Sequence, residues 1–379
     1  MSSRLNLRDL SLALALFAVC AFFAFKVPHF NFLSARNLSL LMIDFSITAT
    51  LAIGMLLVIL PGHIDLSAGS GVGLIGGSAA VLVTNHQWPA PLALALSLAG
   101  ALVLWSAIGT LIVRQRIPAF IITLGGLLVF KGLFWLVIDN HTIPVAPGGQ
   151  RNLYSLLTTY YLPPIAGYVL AGLVIAALVF VRLKSRATRK SYGFETDDGE
   201  LTFLKLFLAA QVIGLFVLVT NQFRGVPLPA LILGAVALAV WVLTQHTPFG
   251  RYLYAIGGNE EAALISGIPV ERVTIGAFTL MGGIVALTGF MQTAYGGSST
   301  TTVGDLMELD AVAACVIGGA SLKGGRGNVL GVLAGALIMA CLLNGMSLLA
   351  VEPEKKFIAR GAVLILAVWM DVRLSRRAV

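Results

Sequence analysis

HTPFGRYLYAIGGNEEAALISGIPVER (residues 246–272) is the longest polar stretch in the later part of an otherwise apolar chain. Asn259 can cap a helix, and the two residues that follow, Glu260 and Glu261, suit the positive end of its dipole. Gly267, with a proline two residues later, can end that helix. The pattern predicts a surface helix of about two turns, which needs tertiary contacts because so short a helix is marginal alone in water.

The predicted helix has two different faces. At about 100° per residue, Leu264, Ile265 and Ile268 lie on one stripe. The opposite stripe carries small residues: Ala262, Ala263, Ser266 and Gly267. One face can anchor the helix, whereas the small residues let a second surface come close.

The composition indicates an integral membrane protein. Of 379 residues, 58% are hydrophobic and 11% charged, against roughly 45–50% and 25% in soluble domains. Apolar runs of about 17 to 24 residues favour membrane-spanning helices over a barrel. The net charge of +8 comes from basic residues in loops, so it gives no indication of nucleic-acid binding. The cysteines lack metal or disulfide spacing, and the first apolar run resembles a retained span.

Twelve apolar segments are predicted to cross the membrane. They lie near residues 10–27, 41–60, 71–84, 91–113, 119–138, 163–181, 204–221, 229–244, 273–294, 308–321, 328–350 and 357–371. Twelve crossings put both termini in the cytoplasm, with most Lys and Arg on the same side. Because the third and tenth segments are short enough for half-spans, we predict an all-α polytopic fold of ten to twelve spans, in one domain over residues 1–379.

Polar breaks interrupt this pattern twice. LPGHIDLSAGSGVGLIGG (residues 60–77) places His63, Asp65 and Ser67 at membrane depth, where such groups line water, pair with others or lie in buried broken backbone. SLKGGRGN (residues 321–328) is the second break. Each is followed by glycines four residues apart, predicted to be helix-packing positions: Gly69, Gly73 and Gly77, then Gly327, Gly331 and Gly335. The pattern fits two corresponding halves, although Gly-rich membrane helices are common.

Four segments resemble signatures of the permeases of sugar ABC importers of the ribose and xylose type. They are IDLSAGS (64–70), RIPAFIITLGGLLVFKG (116–132), the loop at 250–272 and ELDAVAACVIGGASLKGGRGNVLGVLAGALI (308–338). They follow the order of that family and cover most of the chain. The chain departs from the shorter ribose pattern by an inserted helix pair at about 162–226, which resembles the D-xylose branch most.

The resemblance implies a division of labour. The loop at about 246–272 would dock in a groove of a separate ATPase, which binds ATP and Mg, while this chain binds no cofactor. The implied coupling residues are Gly250, Asn259, Glu260, Glu261, Ala262 and Gly267. The other implied partners are a periplasmic sugar-binding protein and a second permease copy in the bacterial inner membrane. D-xylose is the first candidate for the sugar, and another pentose or hexose is the alternative.

The external loop YGGSSTTTVGDLMELD (295–310) is predicted to lie near the entry route of the sugar. Hydroxyls and carboxylates can hydrogen-bond a sugar or meet basic residues of a docking protein. Candidate pathway or binding-protein contacts are His63, Asp65, Ser67, Asp305, Glu308 and Asp310. The alternative is an ordinary loop, with Asp310 in a helix cap or a buried pair.

Other classes of function have weaker support. The sequence has no GxxxxGK[ST], G-x-S-x-G or HExxH motif, so it gives no indication of ATP binding or of an enzyme active site. A secondary transporter would need a carboxylate buried at mid-span, for which Asp44 and Asp310 are the candidates. RLKSRATRKSYGFETDDGELTF (182–203) is predicted to be a solvated loop, with contact to anionic headgroups or the ATPase as the alternative.

Overall fold

The structure is a computed structural model that describes residues 7–194 and 199–376, which are largely α-helical. Glu195, Asp197 and Asp198 of the inserted loop and both chain ends lie outside the described residues. The helices are α1 (Leu7–Lys26), α2 (Ala35–Ile59), α3 (Ala68–Thr84), α4 (Ala90–Gln115), α5 (Ala119–Val137), α6 (Leu153–Thr159), α7 (Pro164–Ser191), α8 (Gly199–Asn221), α9 (Leu228–His246), α10 (Pro248–Gly258), α11 (Glu260–Ile265), α12 (Val270–Gly296), α13 (Met307–Ile317), α14 (Val329–Leu348) and α15 (Pro353–Arg376).

The predicted all-α membrane architecture is confirmed. Each of the twelve predicted segments coincides with a helix, and within residues 7–194 and 199–376 eight helices are long and apolar enough to cross a membrane. α1 and α3 contain shorter apolar stretches, and α13 has only 11 residues. Two short helices, α6 and α10, were not predicted, because each lies in a polar connection between longer apolar runs.

α2 lies at the centre of the molecule. Every residue from Ala49 to Leu60 is buried, and the helix contacts α8, α9, α12, α13 and α14. α7 and α8 are the opposite case, since little of their apolar surface is covered by protein. A helix that is apolar on all sides is either buried or faces lipid, so the inserted pair forms the periphery of the bundle.

The connection between α12 and α13 re-enters the bundle. It starts at a two-stranded antiparallel ribbon, β1 (Ile143–Pro144) with β2 (Ser298–Ser299), which marks one end of the molecule, here called the ribbon end. A Cβ built on Gly77 would lie 3.0 Å from Ser299 Oγ, and one on Gly69 would lie 2.6 Å from the Gly304 oxygen. Gly69 and Gly77 are eight residues apart on α3, which corresponds to a rise of about 12 Å along the helix. The loop therefore follows α3 for about that distance.

α13 therefore begins inside the bundle and is a half-span. Its 11 residues extend about 16 Å, roughly half of the hydrocarbon core. It packs against α14 through the second glycine series: Cβ atoms built on Gly331 and Gly335 would each lie 2.1 Å from backbone oxygens of α13 or its cap. Gly327 is an exception to the prediction. It precedes Asn328, which caps α14, and so lies in the loop rather than on the helix.

Candidate functional site

The polar stretch at 246–272 contains two helices rather than one. Thr247 caps α10 by accepting a hydrogen bond from Gly250 N (3.3 Å), and Pro248 occupies the first turn. Threonine followed by proline is a helix-start signal, so α10 was open to prediction from the sequence. Gly250 is buried, and a Cβ there would lie 2.3 Å from the Thr244 oxygen. The structure thus corrects the role of Gly250, which allows the tight turn from α9 into α10 and is not a surface contact.

α11 has the predicted caps. Asn259 Oδ1 accepts a hydrogen bond from Ala262 N at 2.9 Å, and Glu260 and Glu261 occupy the first turn. Gly267 has φ of +80°, a left-handed conformation that favours glycine and closes the helix. The helix itself is six residues long. It is held as a short rigid projection between α10 and α12.

α11 touches the body of the protein through a single small residue, Ala263, while Ala262, Ser266 and Gly267 of the small-residue stripe are exposed. Ala263 is 4% exposed, whereas Leu264 and Ile265 are 65% and 87% exposed. Of the apolar stripe, only Ile268, just beyond the helix, is partly buried. The prediction that the apolar stripe anchors α11 is therefore wrong for Leu264 and Ile265. A small side chain lets α11 lie close to the body of the protein, and this orientation turns the two large apolar side chains outward.

The end of α10 joins both polar breaks of the sequence. Gly325 N donates to the Leu60 oxygen at 2.9 Å. A Cβ built on Gly257 would lie 1.9 Å from that oxygen and 2.3 Å from Gly325 N. We call Leu60, Gly257 and Gly325 the backbone junction. It connects α10 with the end of α2 and with the loop between α13 and α14, and it marks the α11 end of the molecule, opposite the ribbon end.

Tyr254 reinforces this connection. Its hydroxyl donates to the Gly327 oxygen at 2.8 Å and accepts from Gln245 Nε2 at 3.1 Å. Burial raises the pKa of Tyr254, so the phenol stays neutral and keeps its proton for the Gly327 oxygen at physiological pH. Sequence reasoning missed Tyr254 and the backbone junction. The only signal was the pair of Gly-Gly dipeptides at 257–258 and 324–325, which says nothing of their proximity.

The first polar break is tied to α4. Asp65 is fully buried and accepts hydrogen bonds from Ser67 N (2.9 Å), Ser67 Oγ (2.6 Å) and Trp105 Nε1 (2.6 Å). His63 is partly buried, with its ring centroid 6.1 Å from that of Phe278. Asp65 and Ser67 fix the start of α3, and their burial removes them from any protein-docking surface. His63 lies in the connection between the backbone junction and Asp65, which is far from the ribbon end.

The external loop divides its three acids between surface and interior. Asp305 is half-exposed and forms an ion pair with Lys131 of α5. Glu308 and Asp310 are only 4% and 5% exposed. Asp310 Oδ2 lies 3.4 Å from Nη2 of Arg360 on α15, which matches the alternative of a buried pair. The prediction that Glu308 and Asp310 contact a docking protein is therefore wrong, because both lie on the half-helix α13 inside the bundle.

Comparison with known proteins identifies the family to which the chain belongs. A family model described as branched-chain amino acid transport system / permease component matches residues 37–368. The chain belongs to this permease family. It is 38% identical over 374 residues to the xylose transport system permease protein XylH of Escherichia coli (strain K12), covering 99% of this chain and 94% of that protein. No solved structure matches it significantly.

Two further relatives give the range of similarity. The xylose transport system permease protein XylH of Haemophilus influenzae is 38% identical over 372 residues, 98% of both chains. The ribose import permease protein RbsC of Escherichia coli (strain K12) is 33% identical over 341 residues, 90% of this chain and 87% of that protein. This permease is thus a multi-pass inner-membrane transport component rather than an enzyme. The matched region includes α11, the backbone junction and α13.

Proposed function

We propose that this permease is the membrane subunit of an ABC importer that moves a pentose into the cell. D-xylose is the first candidate for this sugar. A separate cytoplasmic ATPase binds ATP and Mg and docks on α11. A periplasmic sugar-binding protein delivers the sugar at the ribbon end, and two copies of the permease enclose the route. The observation that carries the proposal is the exposed apolar pair Leu264 and Ile265 on a capped helix outside the membrane-spanning segments.

The exposed pair supports a protein partner for α11. Two large aliphatic side chains that project together from a polar loop are unfavourable in water, and burial of both would contribute roughly 3 kcal/mol. The backbone junction would carry a displacement of α11 to the connections on both sides of it, between α2 and α3 and between α13 and α14. ATPase closure could thereby reach the half-helix α13.

The distribution of basic residues supports the orientation. Arg114 in the last turn of α4, and Arg116, Lys323 and Arg326 in connections, lie at the α11 end, which the positive-inside rule assigns to the cytoplasm. Both termini would then be cytoplasmic. The ribbon end faces the periplasm, where Asp305 stays exposed enough to contact a binding protein. The assignment of D-xylose draws on the names of the relatives that align over nearly the whole chain.

Reconstitution tests the proposal. The permease, its ATPase and its loaded binding protein are assembled in proteoliposomes, and uptake of labelled D-xylose is measured. Uptake is expected to require ATP on the ATPase side. Leu264→Ser with Ile265→Ser should abolish the stimulation of ATP hydrolysis by the permease and weaken ATPase capture. Leu330→Ser is the control, because Leu330 is also 71% exposed but lies on α14.

Two results would contradict the proposal. Uptake by the permease alone, driven by an ion gradient, would identify a secondary transporter instead. Wild-type ATPase capture and uptake by the double Leu264 and Ile265 variant would remove α11 as the docking element. ATP-driven uptake of another sugar in preference to D-xylose would keep the ABC permease and change its substrate.

A further inference from the structure

A polar cluster joins three membrane-spanning helices at their ribbon-end halves. Asp44 of α2 lies beside Tyr295 of α12 and Asn344 of α14, and Tyr295 packs against the apolar cluster that contains Ile43 and Ile47 of the same part of α2. All three side chains are partly exposed, whereas their apolar neighbours Ile43 and Ile47 are 1% exposed. The cluster thus presents polar atoms on a face that the rest of the chain leaves open.

Part of the cluster is held rigidly by amide pairs. Asn37 Nδ2 donates to Asn344 Oδ1 at 3.0 Å, and Asn344 Nδ2 lies 3.2 Å from Asn37 Oδ1. Asn37 Nδ2 also donates to the Phe32 oxygen at 2.9 Å. These bonds orient Asn344, so its contact with Asp44 is built into the packing of α2 on α14. Among the residues that the structure describes, no Lys or Arg forms an ion pair with Asp44.

A carboxylate in this position requires water or a polar partner. Exposure to hydrocarbon is costly for an ionisable side chain, and such residues in membrane-spanning helices generally face a cavity, a pathway or another protein surface. Met307, the first residue of α13, packs against the cluster formed by Ile43, Ile47 and Met291. Asp44 therefore lies at the level where the half-helix begins. Transporters form substrate sites beside discontinuous helices of this kind.

We propose that Asp44, Tyr295 and Asn344 form a sugar-hydroxyl site on the wall of the translocation route. This rests on the proposed function and names the residues that meet the sugar. The carboxylate accepts hydrogen bonds from hydroxyls, the Asn344 amide can donate and accept, and the phenol does both. The Tyr295 ring adds an apolar face for the C–H side of a pentose. The cluster suits a neutral polyol better than an anion, because its one charged group is negative.

The competing explanation is a polar tie that only fastens α2 to α12 and α14. The two explanations differ in how they depend on the sugar. A tie contributes equally whichever sugar passes, so its loss lowers uptake of all sugars together. A hydroxyl site distinguishes a sugar that has the bonded hydroxyl from one that lacks it, and its loss removes that distinction.

The test pairs Asp44→Asn with single-deoxy xyloses in the reconstituted importer. Each sugar is supplied on saturating binding protein, and uptake is divided by ATP hydrolysed. For at least one deoxy position, wild-type uptake should fall about tenfold relative to D-xylose, as expected for a hydrogen bond to a charged group. In the Asp44→Asn variant, D-xylose should fall about tenfold, and that deoxy sugar should fall little further. Tyr295→Phe should change the discrimination with the ring retained.

Thr50→Val on the same helix is the matched control. Thr50 is fully buried and its hydroxyl donates to the Ser46 oxygen at 2.7 Å, so the change removes a polar contact of α2 away from the cluster. It should leave the sugar preference unchanged. The proposal is overturned if Asp44→Asn keeps the wild-type preference at every hydroxyl, or if uptake of all sugars falls equally. Absence of ATP-driven sugar uptake in the wild type would overturn the proposed function as well, so the two failures are distinguishable.

Discussion

Gly257→Ala is the change that tests the backbone junction most directly. The added Cβ would lie 1.9 Å from the Leu60 oxygen and 2.3 Å from Gly325 N. Carbon atoms in contact prefer separations of about 3.5–4.0 Å, so the chains on both sides of α10 must move apart. Neither neighbour is a flexible side-chain tip, since both are backbone atoms already joined by the 2.9 Å hydrogen bond from Gly325 N to the Leu60 oxygen.

The expected cost follows from that geometry. Overpacking of a close contact typically costs about 1 to 3 kcal/mol, and disruption of the hydrogen bond adds about 1 kcal/mol. We expect a lower melting temperature in detergent. In the reconstituted importer we expect more ATP hydrolysed per sugar transported, because α11 would no longer move in register with the connections beyond Leu60 and Gly325.

Gly258→Ala provides a control one residue away. A Cβ on Gly258 meets no atom within 4 Å, and its backbone does not have positive φ. This variant should behave like the wild type in both measurements. If Gly257→Ala has the same melting temperature and the same ATP hydrolysis per sugar as Gly258→Ala, the close approach at the junction has no energetic consequence. The path from α11 to the half-helix would then have to run through other contacts.

Three further changes test contacts inside the bundle by thermal unfolding in detergent. Gly331→Leu adds a side chain where a Cβ would already lie 2.1 Å from a backbone oxygen, and should cost about 1 to 3 kcal/mol. Trp105→Phe removes one of the donors to the buried Asp65 carboxylate and should cost about 1.5 to 3 kcal/mol. Asp310→Asn leaves Arg360 without its carboxylate, at a cost of about 1 to 3 kcal/mol, and adding Arg360→Met should restore part of it.

Each of these changes has an exposed counterpart that should leave the melting temperature unaltered. Gly100→Leu adds the same side chain where a Cβ meets nothing within 4 Å. Trp241→Phe changes a partly exposed indole. Glu352→Gln breaks the surface pair with Lys355. Equal melting of a bundle variant and its counterpart would show that the contact in question contributes nothing measurable, and the explanation of that position would fail.

The membrane class, the positions of the spans and the caps of α11 could all be predicted from the sequence. Each depends on residues close together in the chain. Runs of apolar residues reflect the thickness of the hydrocarbon core, and Asn259 and Gly267 cap their helix through bonds made within one turn. The short length of the tenth segment also predicted a half-span, since length alone limits how far a helix can reach.

The direction in which side chains point was decided by tertiary packing. Leu264 and Ile265 have the composition of an anchoring face, yet the close fit of Ala263 against the body turns them outward. Asp305 and Asp310 belong to one polar loop, but the descent of that loop beside α3 exposes the first and buries the second. Periodicity specifies which residues share a face, whereas the neighbour of that face is supplied by distant parts of the chain.

The junction of Leu60, Gly257 and Gly325 and the cluster of Asp44 and Tyr295 show the same limit more strongly. Their members are separated by tens to hundreds of residues, and each taken singly is an ordinary glycine, leucine or polar residue. Their significance comes from distances of a few ångströms across helices. A sequence determines its local helices through short-range bonds, but which backbones approach closely depends on how all the helices pack together, and only the tertiary structure contains that information.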